Sequence, residues 1–128
     1  MNKIITHQTI NTQLCGKPLD VKDGYSKVSL TTTPEMSVDN KGLVHGGFIF
    51  GLADHAAMIA VNDPNVVLGS AQTKFKKPVK AGDTVEAVAT VAEKDKNKRF
   101  VNVSVTCSEA EVFSGTFVCF ILDKHVLD

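Results

Sequence analysis

The chain has 128 residues, of which 43% are apolar, so it is long enough for one buried core and too short for two. Lysine plus arginine and aspartate plus glutamate balance at 14 each, and no net field directs the chain to nucleic acid or to an anionic membrane. We therefore expect a single domain, residues 1–128, that binds neither nucleic acid nor a membrane.

The distribution of apolar residues predicts neither a signal peptide nor a membrane-spanning helix. Met1–Gln8 lacks the apolar run of a signal peptide. The longest apolar stretch, Phe48–Val61, is too short to cross a bilayer and carries Asp54 and His55. We expect a cytoplasmic protein. Its three cysteines, Cys15, Cys107 and Cys119, form no Cys-x-x-Cys pair, and the two in strand-like runs, Cys107 and Cys119, are expected to be small buried hydrophobes.

The sequence predicts one short helix, one long helix and five strands. The lead-in Thr6–Leu14 is expected to contain a short helix, and the alternating, β-branched run Gly24–Thr33 predicts a strand. Gly46–Asn62 is the one long predicted helix, which begins at two glycines and ends before Asp63-Pro64. Four alternating segments predict further strands: Val67–Lys76, Thr84–Glu93, Arg99–Ser108 and Val112–Leu122.

The long helix has almost no polar face, because apolar residues fill most of the positions between Phe48 and Val61. A helix of this kind must be covered on nearly all sides. This predicts an α+β fold, in which a curved antiparallel sheet of about five to six strands wraps one long central helix. One chain of this size would leave part of the helix bare, so a partner subunit is expected to cover it.

Candidate catalytic groups lie at the start of this helix and within it. Glycines at a helix N-terminus leave backbone N–H groups open to a ligand, and the helix dipole favours an oxyanion there, which makes Gly46 and Gly47 candidates for donors. Asp54 is the only acid in the helix, and burial would raise its pKa toward that of a useful base. Eight residues of helix separate Gly46 from Asp54, about 12 Å, so the site is expected to combine Gly46 of one chain with Asp54 of another.

Two motifs carry a family resemblance. Gly42-Leu43-Val44-His45-Gly46-Gly47 followed by Ala53-Asp54 resembles the signature of PaaI-like hotdog-fold acyl-CoA thioesterases. Phe75–Thr84, with Pro78 and Gly82-Asp83, resembles the strand and turn of the same family. The order of elements agrees over residues 24 to 122, and the resemblance implies a hotdog fold.

The resemblance also implies a reaction, the hydrolysis of a CoA thioester. By position, Asp54 would be the nucleophile or the base for water, the Gly46 N–H the oxyanion donor, and His45 the residue that positions the thioester and its pantetheine arm. The family's usual side-chain amide falls on Asp39, with Asn40 one residue later, so one of these two is expected to assist.

Further candidates for substrate contacts lie next to this motif and outside it. Gly47 is expected to approach the substrate closely, and three cations could hold the CoA phosphates, unless they are ordinary solvated side chains: Lys76, Lys77 and Arg99. The phenylalanines of residues 113–120 are expected in the core rather than in an acyl pocket, and His55 is expected to pack rather than react.

Alternative functions differ in class. A hotdog hydratase or dehydratase is disfavoured because its characteristic histidine and acid patterns are lacking. A non-catalytic acyl-CoA-binding or sensing module stays open, because the amide helper is replaced and Met58 stands where the family often has serine or threonine. No metal and no cofactor are expected, since CoA is part of the substrate, and the expected assembly is a homodimer or homotetramer.

Overall fold

A computed structural model describes all 128 residues. Two helices, α1 (Thr12–Cys15) and α2 (Gly46–Val61), accompany six strands and a 3₁₀ turn at Pro34–Met36. The strands are β1 (Lys17–Lys22), β2 (Tyr25–Thr31), β3 (Val66–Phe75), β4 (Thr84–Asp95), β5 (Lys98–Cys107) and β6 (Ala110–Ile121). None of the helices combines the length and hydropathy needed to cross a membrane.

All six strands form one antiparallel sheet in the order β1-β2-β4-β5-β6-β3. The alternating residues of the central strands turn their small apolar side chains toward α2, and Val85, Ala87, Val101 and Val105 are fully buried there. The predicted α+β hotdog architecture, with one long helix against a curved antiparallel sheet, is confirmed.

The predicted long helix is also confirmed to within one residue. His45 is its N-cap, since the Nδ1 atom of His45 accepts a hydrogen bond from the Gly47 N–H at 2.7 Å. Asn62 ends the helix in the left-handed conformation, with φ of +55°, and its N–H donates to the Met58 carbonyl.

The first strand was missed by the sequence prediction. Lys17–Lys22 carries a proline and charged residues, which weaken a strand signal but are tolerated at a sheet edge. The Asp23-Gly24 pair that joins it to β2 is a hairpin signal, and Gly24 has φ of +70° in the turn rather than starting the strand as predicted.

The short N-terminal helix was predicted too early and too long. The helix covers only Thr12–Cys15, because the Asn11 side chain accepts hydrogen bonds from the Gln13 and Leu14 N–H groups and so sets its start. Gly16, with φ of +98°, ends it directly. The lead-in before it runs along the end of α2, where the side chain of Asn62 bonds to the backbone of Lys3 and Ile5.

One stripe of α2 stays uncovered within a single chain. Gly47 is exposed, and Phe50, Gly51 and Asp54 are half-buried, whereas the opposite side of the helix, with Ile49, Leu52 and Ala56, is buried. A side-chain carbon added at Gly51 would meet nothing within 4 Å. The bare part that the sequence analysis expected is therefore real, and it contains the acid.

Candidate active site

The start of α2 presents an unused backbone donor. Gly47 donates to the His45 ring and Phe48 donates to the His45 carbonyl, but the Gly46 N–H has no acceptor within the protein. Because a helix N-terminus carries partial positive charge, this N–H can stabilise a developing oxyanion. The oxyanion role of Gly46 stays a prediction, for which its N–H is free, whereas the Gly47 N–H is already bonded to the N-cap.

His45 is oriented by the same cap. Its Nδ1 accepts the Gly47 N–H, so the proton of the neutral imidazole sits on Nε2. Nε2 can then donate a hydrogen bond outward from an exposed side chain. The edge of the ring also rests against Phe48, with ring centroids 6.2 Å apart.

Asp54 lies on the uncovered stripe two turns further along. Burial raises the pKa of its carboxyl group from 3.8 to about 6. Its Oδ1 atom is buried and has no hydrogen-bond partner, and it forms no ion pair. A buried polar atom without a partner is uncommon and costly in folded proteins, which makes Asp54 a candidate functional residue.

The groups around Asp54 do not compete with it for proton chemistry. Burial, and to a smaller extent the Asp54 charge, raise the pKa of the Cys15 thiol and raise that of Cys119 to about 12. His55 is buried on another side of α2, where its Nδ1 lies 3.0 Å from the Cys15 carbonyl oxygen. Burial lowers the pKa of His55, which makes it a neutral packing residue, as predicted.

Asp39 and Asn40, the two candidates for the helper position, differ in what they contact. Asp39 accepts hydrogen bonds from the Lys41 and Leu43 N–H groups through Oδ1 and so closes its own loop. Asn40 is exposed, and its amide has no partner in the protein. Of the two, the Asn40 amide is the one left free for a ligand.

A hollow of about 350 Å³ opens beside Gly46. Its lining is mostly apolar: Leu43, Val44, Gly46, Ile49, Phe75, Lys76, Lys77, Pro78, Val79 and Val112. The structure thus brings Lys76 and Lys77 together with Gly46, although Lys76 is already paired with Glu111.

Arg99 lies elsewhere in the same chain. It lines a different depression with Ala60, Val61 and Asn62 at the C-terminal end of α2, and its guanidinium donates to the carbonyls of Lys96 and Lys98. Since the whole length of α2 separates this end from Gly46, Arg99 does not reach the Gly46 hollow of its own chain.

Phe75, quoted above only as the first residue of the strand-and-turn motif, was not predicted to lie beside Gly46. Its side chain is 57% exposed at the end of β3, and its ring would lie 3.1 Å from a side-chain carbon added at Gly46. In the sequence it ends an alternating strand, and no local pattern predicts its position beside Gly46. By contrast, Phe113 and Phe117 are fully buried in the core, as expected.

The structure thus combines a hotdog fold with an acid on the central helix and a free N–H at the helix start. The sequence profile of the thioesterase superfamily matches residues 41–114, more than half of the chain, and the chain belongs to that superfamily.

Individual relatives vary in name and in length. A methylthioribose-1-phosphate isomerase of Aquifex aeolicus is 50% identical over 94% of this chain, but the chain spans only 26% of that protein. The transcription factor FapR of Caldanaerobacter subterraneus is 31% identical over 92% of the chain, which spans 60% of it. The crystal structure of the uncharacterized protein PH1136 from Pyrococcus horikoshii superposes with a TM-score of 0.98 at 52% identity, covering 99% of this chain and 98% of that one.

Proposed function

We propose that the protein is an acyl-CoA thioesterase in which Asp54 is the nucleophile or general base and the Gly46 N–H stabilises the oxyanion. The observation that carries this proposal is the half-buried, unpartnered carboxylate of Asp54, with a pKa of about 6, on the uncovered stripe of α2. At neutral pH such a group is mostly ionised and still basic enough to accept a proton from water. The name of the Aquifex aeolicus relative describes a much longer protein, and its isomerase activity is not proposed for this chain.

The two groups must come from different chains. Gly46 and Asp54 are separated by about 12 Å of helix, too far for one carbonyl to meet both. Two antiparallel α2 helices that meet across a two-fold axis, stripe against stripe, would place Gly46 of each beside Asp54 of the other. This arrangement also gives the bare stripe a cover.

The sheet edges favour such a dimer through β3. The β1 edge is short and carries Pro18 and lysines, which discourage pairing with another strand. The β3 edge has ten residues, with the uncharged run 69–73 in its middle. Phe50 on the stripe packs against Phe117 of β6, the neighbour of β3, with ring centroids 5.4 Å apart, so the stripe faces that edge.

The test is hydrolysis of a panel of acyl-CoAs, followed with a thiol reagent. Asp54→Asn keeps the size of the side chain and removes its charge, so kcat/KM should fall by about 10² or more. Because the carboxylate is the active form, wild-type kcat/KM should rise with pH through about 6 and level off above it. Asp123→Asn, an exposed acid near the C-terminus, is the matched control and should change neither quantity. Activity of Asp54→Asn within a few-fold of wild type refutes the assignment.

A second candidate function is acyl-CoA binding without turnover. Two observations favour it: the similarity to a FapR transcription factor, and the commitment of Asp39 to its own loop at the helper position. The same panel separates the candidates, since saturable binding without thiol release from any acyl-CoA identifies a sensor. Thiol release that depends on Asp54 identifies the enzyme.

A further inference from the structure

A side-chain hydrogen bond joins α2 to α1 next to Asp54. The buried His55, with 1% of its surface exposed, brings its Nδ1 atom to 3.0 Å from the carbonyl oxygen of Cys15, the last residue of α1. Because a carbonyl oxygen only accepts, the proton of the imidazole is on Nδ1 and His55 is the donor. Nδ1 carries this proton in the neutral ring and in the charged ring, so the bond persists when His55 titrates. The last carbonyl groups of a helix have no partner within the helix, and His55 supplies one.

Helix α1 has little of its own to hold it in place. Its four residues are too few for a helix that is stable by itself, and none of them is buried. Gly16, directly after it, lies close to α2 and β2, since a side-chain carbon added there would come within 2.6 Å of the Leu52 side chain and 2.7 Å of that of Val28. The position of α1 therefore depends on this close backbone contact and on the bond to His55.

The end of α1 covers one flank of the Asp54 carboxylate. Burial, and after it the negative charge of Asp54, raise the pKa values of the Cys15 and Cys119 thiols, so both thiols lie within electrostatic reach of the carboxylate. Cys119 belongs to β6, which is fixed between two hydrogen-bonded strands, whereas Cys15 belongs to α1, outside the sheet. A further titratable group, His7 of the lead-in, is near His55, and burial and His55 lower its pKa. The cover on the α1 flank is thus the one that can be lost.

We propose that His55 is a positioning residue of the site, which holds α1 against α2 and thereby keeps water from one flank of Asp54. Loss of this cover lets water reach the carboxylate and favours its charged form. His55 then acts on the reaction through α1, without touching the substrate. The effect on the reaction rests on the proposed function, whereas the shielding of Asp54 by α1 does not.

The test follows the titration of the Asp54 carboxyl group by NMR in protein with isotope-labelled aspartate, where Asp54→Asn identifies the signal. The wild-type midpoint should lie near 6. His55→Leu keeps a side chain of similar volume but has no donor, so the midpoint should fall by about one pH unit. His55→Asn places an amide N–H close to the position of Nδ1 and should restore most of the wild-type midpoint.

Two variants separate this role from a general loosening of the helix. Ser26 is buried on β2 and donates from Oγ to the Ala56 carbonyl at 2.6 Å, so Ser26→Ala removes a bond of the same kind from the sheet side of α2. It should lower the free energy of unfolding and leave the midpoint of Asp54 unchanged. Gly16→Ala displaces α1 without any change at His55 and should lower the midpoint as His55→Leu does, which also serves if His55→Leu does not fold.

The pH profile of acyl-CoA hydrolysis supplies a second readout. In His55→Leu, the rise of kcat/KM with pH should move to lower pH by the same amount as the carboxyl titration. A residue with a structural role alone would lower kcat/KM by one factor at every pH and leave the position of the rise unchanged. His55→Asn should restore the wild-type profile.

Two results would overturn the proposal. A wild-type midpoint in both His55→Leu and Gly16→Ala shows that α1 does not shield the carboxylate. A fall in Ser26→Ala as large as that in His55→Leu shows that any loosening of α2 has the same effect. A fall confined to the two α1 variants, without hydrolysis of any acyl-CoA, refutes the proposed enzyme and leaves the shielding by α1 standing. Hydrolysis that depends on Asp54, with an unchanged midpoint, refutes the role of His55 alone.

Discussion

The buried charge of Asp54 should make the folded protein less stable at neutral pH than at acidic pH, and replacement of Asp54 by asparagine should remove this pH dependence. Burial raises the pKa of Asp54 from 3.8 to about 6, so the folded state holds the proton more tightly than the unfolded state does. Between these two pH values the free energy of unfolding of the wild type falls as pH rises. Above about 6 the full penalty for the buried charge is present. A difference of roughly two pKa units corresponds to about 3 kcal/mol.

Asparagine carries no charge at any of these pH values, so the stability difference between Asp54→Asn and wild type should follow the titration. Relative to strongly acidic solution, the variant should gain about 1 kcal/mol at pH 4.5 and about 3 kcal/mol at pH 7.5. The absolute offset also contains the hydrogen-bonding needs of the amide, so the change with pH is the diagnostic quantity.

The assay is urea unfolding across this pH range at one fixed protein concentration, since a dimer's stability depends on concentration. Asp123→Asn provides the baseline for an exposed acid, and its difference from wild type should stay flat with pH. A flat difference for Asp54→Asn, or one that grows as pH falls, would show that the carboxylate is not desolvated in the folded protein. The proposed base would then lose its physical support.

Two further outcomes are expected. First, His45→Ala and Asp54→Asn should each be weakly active, and their mixture should recover roughly a quarter of wild-type activity after subunit exchange. Half of the dimers are then mixed, and each mixed dimer has one intact site. If co-purification of tagged subunits shows exchange but activity does not recover, the site lies within one chain. Second, Asn62→Ala should lower the free energy of unfolding by roughly 2 kcal/mol in urea titrations, because alanine disfavours the left-handed backbone and loses the hydrogen bonds to the N-terminal segment. Asn62→Gly loses the same hydrogen bonds but tolerates the left-handed backbone, so it should lose only about 1 kcal/mol. Equal losses for the alanine and glycine variants would contradict the part assigned to the left-handed backbone.

Local patterns in the sequence determined the elements that carry the chemistry. A single long apolar helix, its glycine start and its lone acid follow from residue type and spacing alone, because helix geometry relates Gly46 to Asp54 without any tertiary information. The alternation of the later segments likewise predicted four strands, and the phenylalanines Phe113 and Phe117 are buried in the core as expected.

Tertiary structure alone decided which distant residues share a surface. Strand β1 was hidden because an edge strand tolerates the proline and charges that weaken a sequence signal. Lys76 and Arg99 look alike in the sequence, but sheet order places the first beside Gly46 and the second at the far end of the helix. The contact between Phe75 and Gly46 joins residues 29 positions apart, and neither residue's neighbours encode it, because such a contact depends on how the whole sheet curves around the helix.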